Sequence, residues 1–156
     1  PEPLIKKEFS RIMSLKDGLK KMSKSEVSDL SRINLTDDKD QIINKIKKAK
    51  TDTLPLPSTI EELEKRPEAK NLIGIYSSLT NNTFQKSIDE FAGKNFSEFK
   101  VKLADIVVNE INPISVKIKE LLDDKVFLEK ILKNGYEKAN EVASKKIKKI
   151  HEIVGF

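Results

Sequence analysis

The fold class is decided by one stretch, residues 97–122, which reads SEFKVKLADIVVNEINPISVKIKELL. Its apolar residues recur at three- and four-residue spacing, the pattern of a helix that buries one face. The predicted inner face consists of Phe99, Leu103, Ile106, Val107 and Ile111. The pattern resumes in phase after Pro113. The sequence therefore predicts a helix that Ser97 caps and that is kinked, rather than ended, at the proline.

Upstream of this helix, the sequence predicts a second helix and a connector. Isoleucines beside several lysines predict a helix over about 38–50, which Asp37 or Asp38 can cap by accepting backbone N–H groups. Residues 51–67 follow as a linker, because the run Leu54-Pro55-Leu56-Pro57 cannot be helical. A capping-box pattern after these prolines predicts one short helix inside the linker.

The remainder, residues 68–156, is predicted to be an α-helical bundle. Apolar stripes predict helices that end at Asn81 and at Gly93, the second in a position suited to a left-handed cap. No period-two strand pattern appears after residue 15, so any strand content is predicted near the N-terminus. Four aromatic residues lie at core spacings and are predicted to pack in the interior rather than to stack on RNA bases, namely Phe84, Phe91, Phe96 and Phe99.

Two further helices are predicted at the C-terminal end. Asp123-Asp124 interrupts the pattern and can cap a helix that ends at Asn134-Gly135. A last helix is predicted from about residue 136 to residue 154. Its predicted inner face consists of Ala139, Ala143, Ile147 and Ile150. The fold class predicted for the whole chain is mainly α.

The composition excludes several classes of site. The 156 residues include no cysteine and one histidine, His151, which excludes disulfide scaffolds, cysteine zinc sites and thiol catalysis. No metal site is therefore predicted. No apolar run approaches the roughly 18 residues that span a bilayer, so we expect a cytoplasmic protein without a membrane partner. The net charge of +5 is weak evidence for a polyanionic partner.

The clearest chemistry lies in Lys21-Met22-Ser23-Lys24-Ser25, hereafter the KMSKS loop. Two lysines three residues apart, interleaved with hydroxyls and preceded by the turn signal Asp17-Gly18, suit a polyphosphate. The ammonium groups meet phosphate oxygens as point charges, while hydroxyl and loop N–H groups supply short donors. The alternative is a solvated Lys/Ser loop. A chance match to this five-residue string is improbable, on the order of one in a thousand.

With its flanks, the KMSKS loop resembles the second signature of class I aminoacyl-tRNA synthetases. The flanks read RIMSL at 11–15 and SRINL at 31–35, and further blocks read IINKIKKAKTD at 42–52 and FSEFK at 96–100. Together they look like the C-terminal half of a bacterial-type tryptophanyl-tRNA synthetase. The resemblance covers essentially the whole chain.

The resemblance implies a division of the chain into three parts. Residues 1–50 would be the end of a Rossmann-type nucleotide-binding domain, 51–67 a linker, and 68–156 a helical anticodon-binding domain. Members of the family activate L-tryptophan with ATP and Mg²⁺ and transfer it to tRNA(Trp). They work as homodimers, and no dedicated residue of this chain is expected to hold the Mg²⁺.

The resemblance also implies which residues contact ATP. The KMSKS loop would be mobile and would close over the triphosphate, with Lys21 and Lys24 as the catalytic cations. Ile12 would contact the adenine side of ATP, mainly through its backbone. The implied ATP-binding set is Ile12, Lys21, Met22, Ser23, Lys24 and Ser25.

The chain departs from the family in two respects. Glu26-Val27 stands where the family usually has Asp-Pro, so the loop exit is less restricted in φ. The first signature of the class needs two closely spaced histidines, which this chain lacks. Since it also lacks an initiator Met, we expect a processed chain or a fragment that does not catalyse adenylation unless it is paired with the other half.

Two clusters of lysines are candidates for contact with tRNA phosphates. They comprise Lys45 and Lys48 on the predicted helix 38–50, and Lys145 and Lys149 on the last helix. Such runs more often form a solvated outer face. Two hypotheses from other classes are a non-catalytic helical nucleic-acid-binding module and a helical interaction domain without a nucleotide. Both are disfavoured, because the matching blocks span the chain.

Overall fold

The computed structural model describes Glu2 and residues 9–155. Two compact units, residues 1–116 and 117–156, divide the chain. The described α-helices are α1 (Lys39–Lys47), α2 (Ile60–Glu64), α3 (Pro67–Thr80), α4 (Phe84–Phe91), α5 (Phe96–Asp123) and α6 (Lys125–Val154), and a short 3-10 helix covers Asp29–Ser31. Between the described residues the β structure is limited to an isolated antiparallel bridge from Met13 to Lys21. The predicted mainly α class is confirmed.

Most of the predicted helix ends are confirmed by their caps. The side chain of Asp38 accepts the N–H of Gln41, and the Gln41 side chain accepts the N–H of Asp38, so that a capping box starts α1. Helix α3 ends at Thr80 and is capped by Asn81, which has a left-handed φ of 55°. The turn after α4 contains Gly93 with φ 70°, a conformation that a glycine adopts without a steric cost.

The proline-rich connector is tied to the helices on either side of it. Leu56 is buried and exchanges backbone hydrogen bonds with the end of α4, donating to Lys94 at 2.9 Å and accepting from Gly93 at 3.1 Å. Arg66 Nε donates to the carboxylate of Asp52 at 2.8 Å, and Arg66 also donates to the carbonyl of Pro55 at 2.6 Å. The predicted linker, residues 51–67, is therefore part of the packed structure of the first unit.

The core of the first unit is built around aromatic rings, as predicted. The ring of Phe91 lies 5.0 Å from that of Tyr76 and 4.9 Å from that of Phe99, both in edge-on arrangements. All four phenylalanines predicted to be interior are buried. Burial and the neighbouring Glu90 carboxylate raise the pKa of the Tyr76 hydroxyl to about 12. This hydroxyl therefore stays protonated and donates to Glu90 at 3.0 Å.

Helix α5 runs through Pro113 without ending, as predicted, but it begins one residue before Ser97. Because the N–H of Phe99 already donates to the carbonyl of Asn95, the helical hydrogen bonds start upstream of the predicted cap. A second boundary was wrong. Helix α6 continues through Asn134-Gly135, where the sequence predicted an end. A glycine inside a helix costs only about 1 kcal/mol, too little to end one by itself.

The predicted inner face of the last helix is not buried. Ile147 and Ile150 are 53% and 46% exposed, and Ala139 and Ala143 are exposed as well. Among the described residues of α6, none is buried. Helical spacing predicts which apolar residues share a face, but it does not supply the surface that would cover them.

The first unit joins segments that the sequence analysis assigned to different domains. Lys100 of α5 donates its ammonium hydrogens to the carbonyls of Lys47 and Ala49, at 3.2 and 2.6 Å, and so stabilises the C-terminal end of α1. Burial lowers the pKa of this lysine. The domain boundaries at 50 and 67 stay predictions. The segment 1–50 begins with residues 1 and 3–8, which lie outside the described part of the chain, as does Phe156.

Candidate nucleotide-binding site

The KMSKS loop begins from a short antiparallel pairing with the residues that precede it. Ser14 N–H donates to the carbonyl of Lys20 at 2.8 Å, and Met22 N–H donates to the carbonyl of Ile12 at 3.1 Å. The turn between the two arms contains Gly18, which lies against the start of α3. A Cβ at this glycine would lie 2.6 Å from the backbone nitrogen of Glu68, so that only glycine fits this approach.

Asn71 of α3 supports this pairing from the other side. Its side-chain oxygen accepts the N–H of Met13 at 2.8 Å, and its side-chain nitrogen donates to the carbonyl of Met13 at 2.8 Å. The amide thus forms the two hydrogen bonds that a neighbouring strand would form. Asn71 is 2% exposed, so the helical part of the chain holds the base of the KMSKS loop through a buried side chain.

Replacement of this side chain tests the contact. We expect Asn71→Ala to lower the free energy of unfolding by about 2–3 kcal/mol, because two polar groups of Met13 lose their partners in a partly buried place. Urea denaturation followed by circular dichroism measures the change. The matched control is Asn44→Ala on the exposed side of α1, which should change the stability by less than about 0.5 kcal/mol. Equal effects of both variants would contradict the role given to Asn71.

The KMSKS loop itself is an exposed loop and not part of a helix. Lys21 forms the bridge to Met13, and Lys24 lies in a turn. The hydroxyl of Ser23 accepts the N–H of Ser25 at 3.2 Å, which closes that turn. Among the described residues, neither Lys21 nor Lys24 has a carboxylate within ion-pair distance. Both ammonium groups are therefore available to an anion.

An open cleft of about 830 Å³ lies beside the loop. Its lining includes five of the six residues that the resemblance implied for ATP, namely Ile12, Lys21, Met22, Ser23 and Lys24. The sixth, Ser25, does not line this cleft. Residues 32–36 line the same cleft. The structure thus brings the predicted residues to one cavity that is wide enough for a nucleotide.

The carbonyl of Ile12 already accepts the N–H of Met22. Its apolar side chain is exposed on the wall of the cleft. Contact of Ile12 with adenine, mainly through its backbone, stays a prediction. Met22 is partly buried against the core, and its side chain fixes the loop to the body of the first unit.

The structure corrects the interpretation of Lys45 as a tRNA contact. Lys45 is 3% exposed. Its ammonium lies 2.6 Å from a carboxylate oxygen of Asp37 and 2.7 Å from one of Asp29. Because spacing along α1 does not show which lysine faces the interior, sequence reasoning placed it on the surface. Asp37, which was interpreted as a helix cap, is buried and binds this lysine instead.

The other three tRNA candidates are exposed. Lys48 lies at the C-terminal end of α1. Lys145 forms an exposed ion pair with Glu141 at 2.7 Å, and Lys149 is exposed on the same helix. Exposure leaves these side chains accessible to phosphate oxygens. The assignment of these three lysines stays a prediction.

Metal-binding clusters and membrane-spanning helices are absent from the part of the chain that the structure describes. No three His, Asp or Glu side chains lie close enough together there to hold a metal ion. None of the helices in residues 9–155 is both long enough and apolar enough to cross a membrane.

Comparison with known proteins decides the family. The family model "tRNA synthetases class I (W and Y)" matches residues 1–112, which contain the KMSKS loop and the residues that line the cleft. The chain belongs to this family. The match extends through α1, α2, α3 and α4 and into α5.

The curated relatives of this class I synthetase chain that are compared below are all tryptophan–tRNA ligases. A tryptophan–tRNA ligase of Agrobacterium fabrum is 50% identical over 155 residues, which are 99% of this chain and 44% of the relative. One of Rickettsia felis is 50% identical over 156 residues, or 100% of this chain and 47% of the relative. The chain thus spans about half the length of the curated relatives. The resemblance predicted from the sequence is confirmed.

The fold is also found in solved structures. The chain matches a tryptophanyl-tRNA synthetase of Campylobacter jejuni, complexed with ADP and tryptophan, with a TM-score of 0.75 and 25% identity. The match covers 100% of this chain and 47% of that one. That protein carries an adenine nucleotide, which is the class of ligand that the resemblance implied for the cleft.

Proposed function

We propose that this chain is part of a tryptophan–tRNA ligase, which uses ATP to form tryptophanyl-adenylate and transfers tryptophan to tRNA(Trp). Within it, the chain supplies the ATP loop and helices that contact tRNA. The observation that carries the proposal is the position of Lys21 and Lys24. Both lie on the wall of an open cleft, and neither is paired with a carboxylate of the described residues.

The chemistry suits these residue types. A tryptophan carboxylate is ionised at neutral pH and needs no general base before it attacks the α-phosphate of ATP. Negative charge builds on the phosphate oxygens and on the departing pyrophosphate. The rate enhancement then depends on positioning and on cations aimed at the developing charge. Lys21 and Lys24 would supply these cations from a loop that closes over the triphosphate.

The substrates and partners follow from the same proposal. ATP enters with Mg²⁺ on its phosphates, and the tryptophan pocket lies mostly in the other half of the ligase. Lys48, Lys145 and Lys149 would contact tRNA phosphates, so their contribution should weaken as the salt concentration rises. The complete ligase would be a cytoplasmic homodimer.

Pyrophosphate exchange tests the function and its amino-acid specificity. In the complete protein that contains these residues, we expect tryptophan to support exchange of labelled pyrophosphate into ATP. Tyrosine is the substrate of the other members of this family. It should support less than about one thousandth of that rate, because a pocket built to hydrogen-bond one aromatic side chain leaves its own polar groups unpaired when the other binds. Exchange with tyrosine would contradict the specificity. RNA binding without exchange for any amino acid would favour the non-catalytic nucleic-acid-binding module.

A further inference from the structure

The exit of the KMSKS loop is held by an arginine from beyond the loop. Arg32 donates from a terminal nitrogen to the carbonyl of Glu26 at 2.8 Å, directly after Ser25. Val27, the next residue, is 100% exposed, so packing does not fix the exit. No proline restricts φ at Glu26-Val27. The hydrogen bond from Arg32 therefore ties the backbone of Glu26 to the first unit.

Arg32 is in turn fixed by two neighbours. Its other terminal nitrogen lies 3.1 Å from the carboxylate of Asp29, and its Nε donates to the side-chain oxygen of Asn34 at 3.2 Å. The guanidinium thus uses its planar set of donors on three acceptors at once. Its side chain is 18% exposed, which leaves it largely shielded from competing water.

The two neighbours are anchored on α1. Asp29 binds the buried ammonium of Lys45 at 2.7 Å, and the side-chain nitrogen of Asn34 donates to Asp37 at 3.2 Å. Asp37 binds the same ammonium. A continuous set of hydrogen bonds therefore runs from a buried lysine of α1 to the carbonyl at the end of the KMSKS loop.

We infer that Arg32 is a positioning residue, which holds the exit of the KMSKS loop on α1 so that Lys24 is presented to the triphosphate. The inference rests on the proposed function of that loop. Arg32 lines the same cleft as Lys24, and it donates its hydrogen bond to the backbone at the loop exit. Its role is to limit the positions of Ser25 and Glu26, and through them the position of Lys24.

Removal of the contact should affect the chemical step more than binding. In the complete ligase, we expect Arg32→Ala to lower kcat for pyrophosphate exchange by about 10- to 100-fold, since small displacements of a catalytic group have effects of this size. The KM for tryptophan should change by less than about twofold. The kcat of Arg32→Lys should fall between those of the wild type and Arg32→Ala, because one ammonium cannot reach all three acceptors in the geometry of the guanidinium.

A second measurement separates positioning from a general loss of stability. Hydrogen exchange of backbone amides should become faster from Ser23 to Val27 in Arg32→Ala, while Ile42 and Ile46 inside α1 keep their protection. Faster exchange throughout the first unit would indicate a merely structural role and would overturn the inference. The matched control is Lys39→Ala, which removes one positive charge from an exposed residue of α1. This variant should change neither kcat for pyrophosphate exchange nor the hydrogen exchange of the loop amides.

The inference and the proposed function fail in different ways. If Lys24→Ala leaves pyrophosphate exchange unchanged, the proposed role of the loop is wrong. If Lys24→Ala abolishes exchange while Arg32→Ala matches the Lys39→Ala control in kcat, the loop acts on ATP without needing Arg32. That second result would overturn the positioning role alone.

Discussion

In the proposed tryptophan–tRNA ligase, Lys24→Ala should reduce pyrophosphate exchange by about 10²- to 10³-fold. A fall in rate of this size is typical of losing one preorganised donor to a developing oxyanion. Lys24 is exposed on the wall of the cleft, and no carboxylate among the residues that the structure describes lies within ion-pair distance of it. Its ammonium is therefore free to meet charge that appears only as the α-phosphate is attacked. An interaction made in the transition state lowers kcat when it is lost, and it leaves ground-state binding nearly unchanged.

The measurement compares kcat for exchange with the equilibrium affinity for tryptophan. The affinity should change by less than about threefold. Lys20→Ala is the matched control, because Lys20 is an exposed lysine of the preceding turn that lies 3.6 Å from Asp17 and does not line the cleft. We expect this control to retain at least about a third of the exchange rate. An unchanged rate for Lys24→Ala would contradict the role given to the KMSKS loop.

Lys45→Ala should destabilise the chain by about 3–5 kcal/mol. Asp37 is buried and accepts both the Lys45 ammonium and the backbone N–H of Asn34. Without the lysine, its carboxylate would remain in the interior as an uncompensated charge, which is a costly change. The hydrogen bond from Lys45 also lowers the pKa of Asp29, so this second carboxylate would lose one of its partners and keep Arg32, which lies 3.1 Å away.

Urea unfolding of the chain, followed by circular dichroism, checks this prediction. Lys47→Ala, an exposed lysine two residues away on α1, should change the stability by less than about 0.5 kcal/mol. If Lys45→Ala does not fold, the double variant Lys45→Ala, Asp37→Asn should recover folding, because it removes the buried charge. Equal stability of the wild-type and Lys45→Ala chains would show that the buried pair does not hold α1 in place.

Local sequence signals predicted much of the fold. Asp38 caps the start of α1, Asn81 caps the end of α3, and Gly93 follows α4, as predicted. These predictions succeeded because capping and left-handed conformations depend on residues close in the chain. The same kind of signal failed at Gly135. There, a weak helix breaker stands inside a long helical pattern, and the neighbouring residues outweigh its small cost.

The candidate site was predicted less evenly. The KMSKS loop was identified from its residues, and five of the six implied ATP contacts share one cleft. Asn71 and Arg32 were not identified as supporting residues. Asn71 lies 58 positions from the backbone that it binds. A buried amide that acts as a neighbouring strand has no local pattern by which it could be recognised.

The helical periodicity and the cationic loop were present in the amino-acid order alone, because each depends on residues within a few positions of one another. Folding decided which charged residues are available. Lys45 and Lys48 belong to one basic run, yet the first is buried between Asp29 and Asp37 and the second is exposed. The difference arises because burial of a charge depends on partners that only the packed chain brings together, and the free energy of that pairing is not a property of either residue by itself.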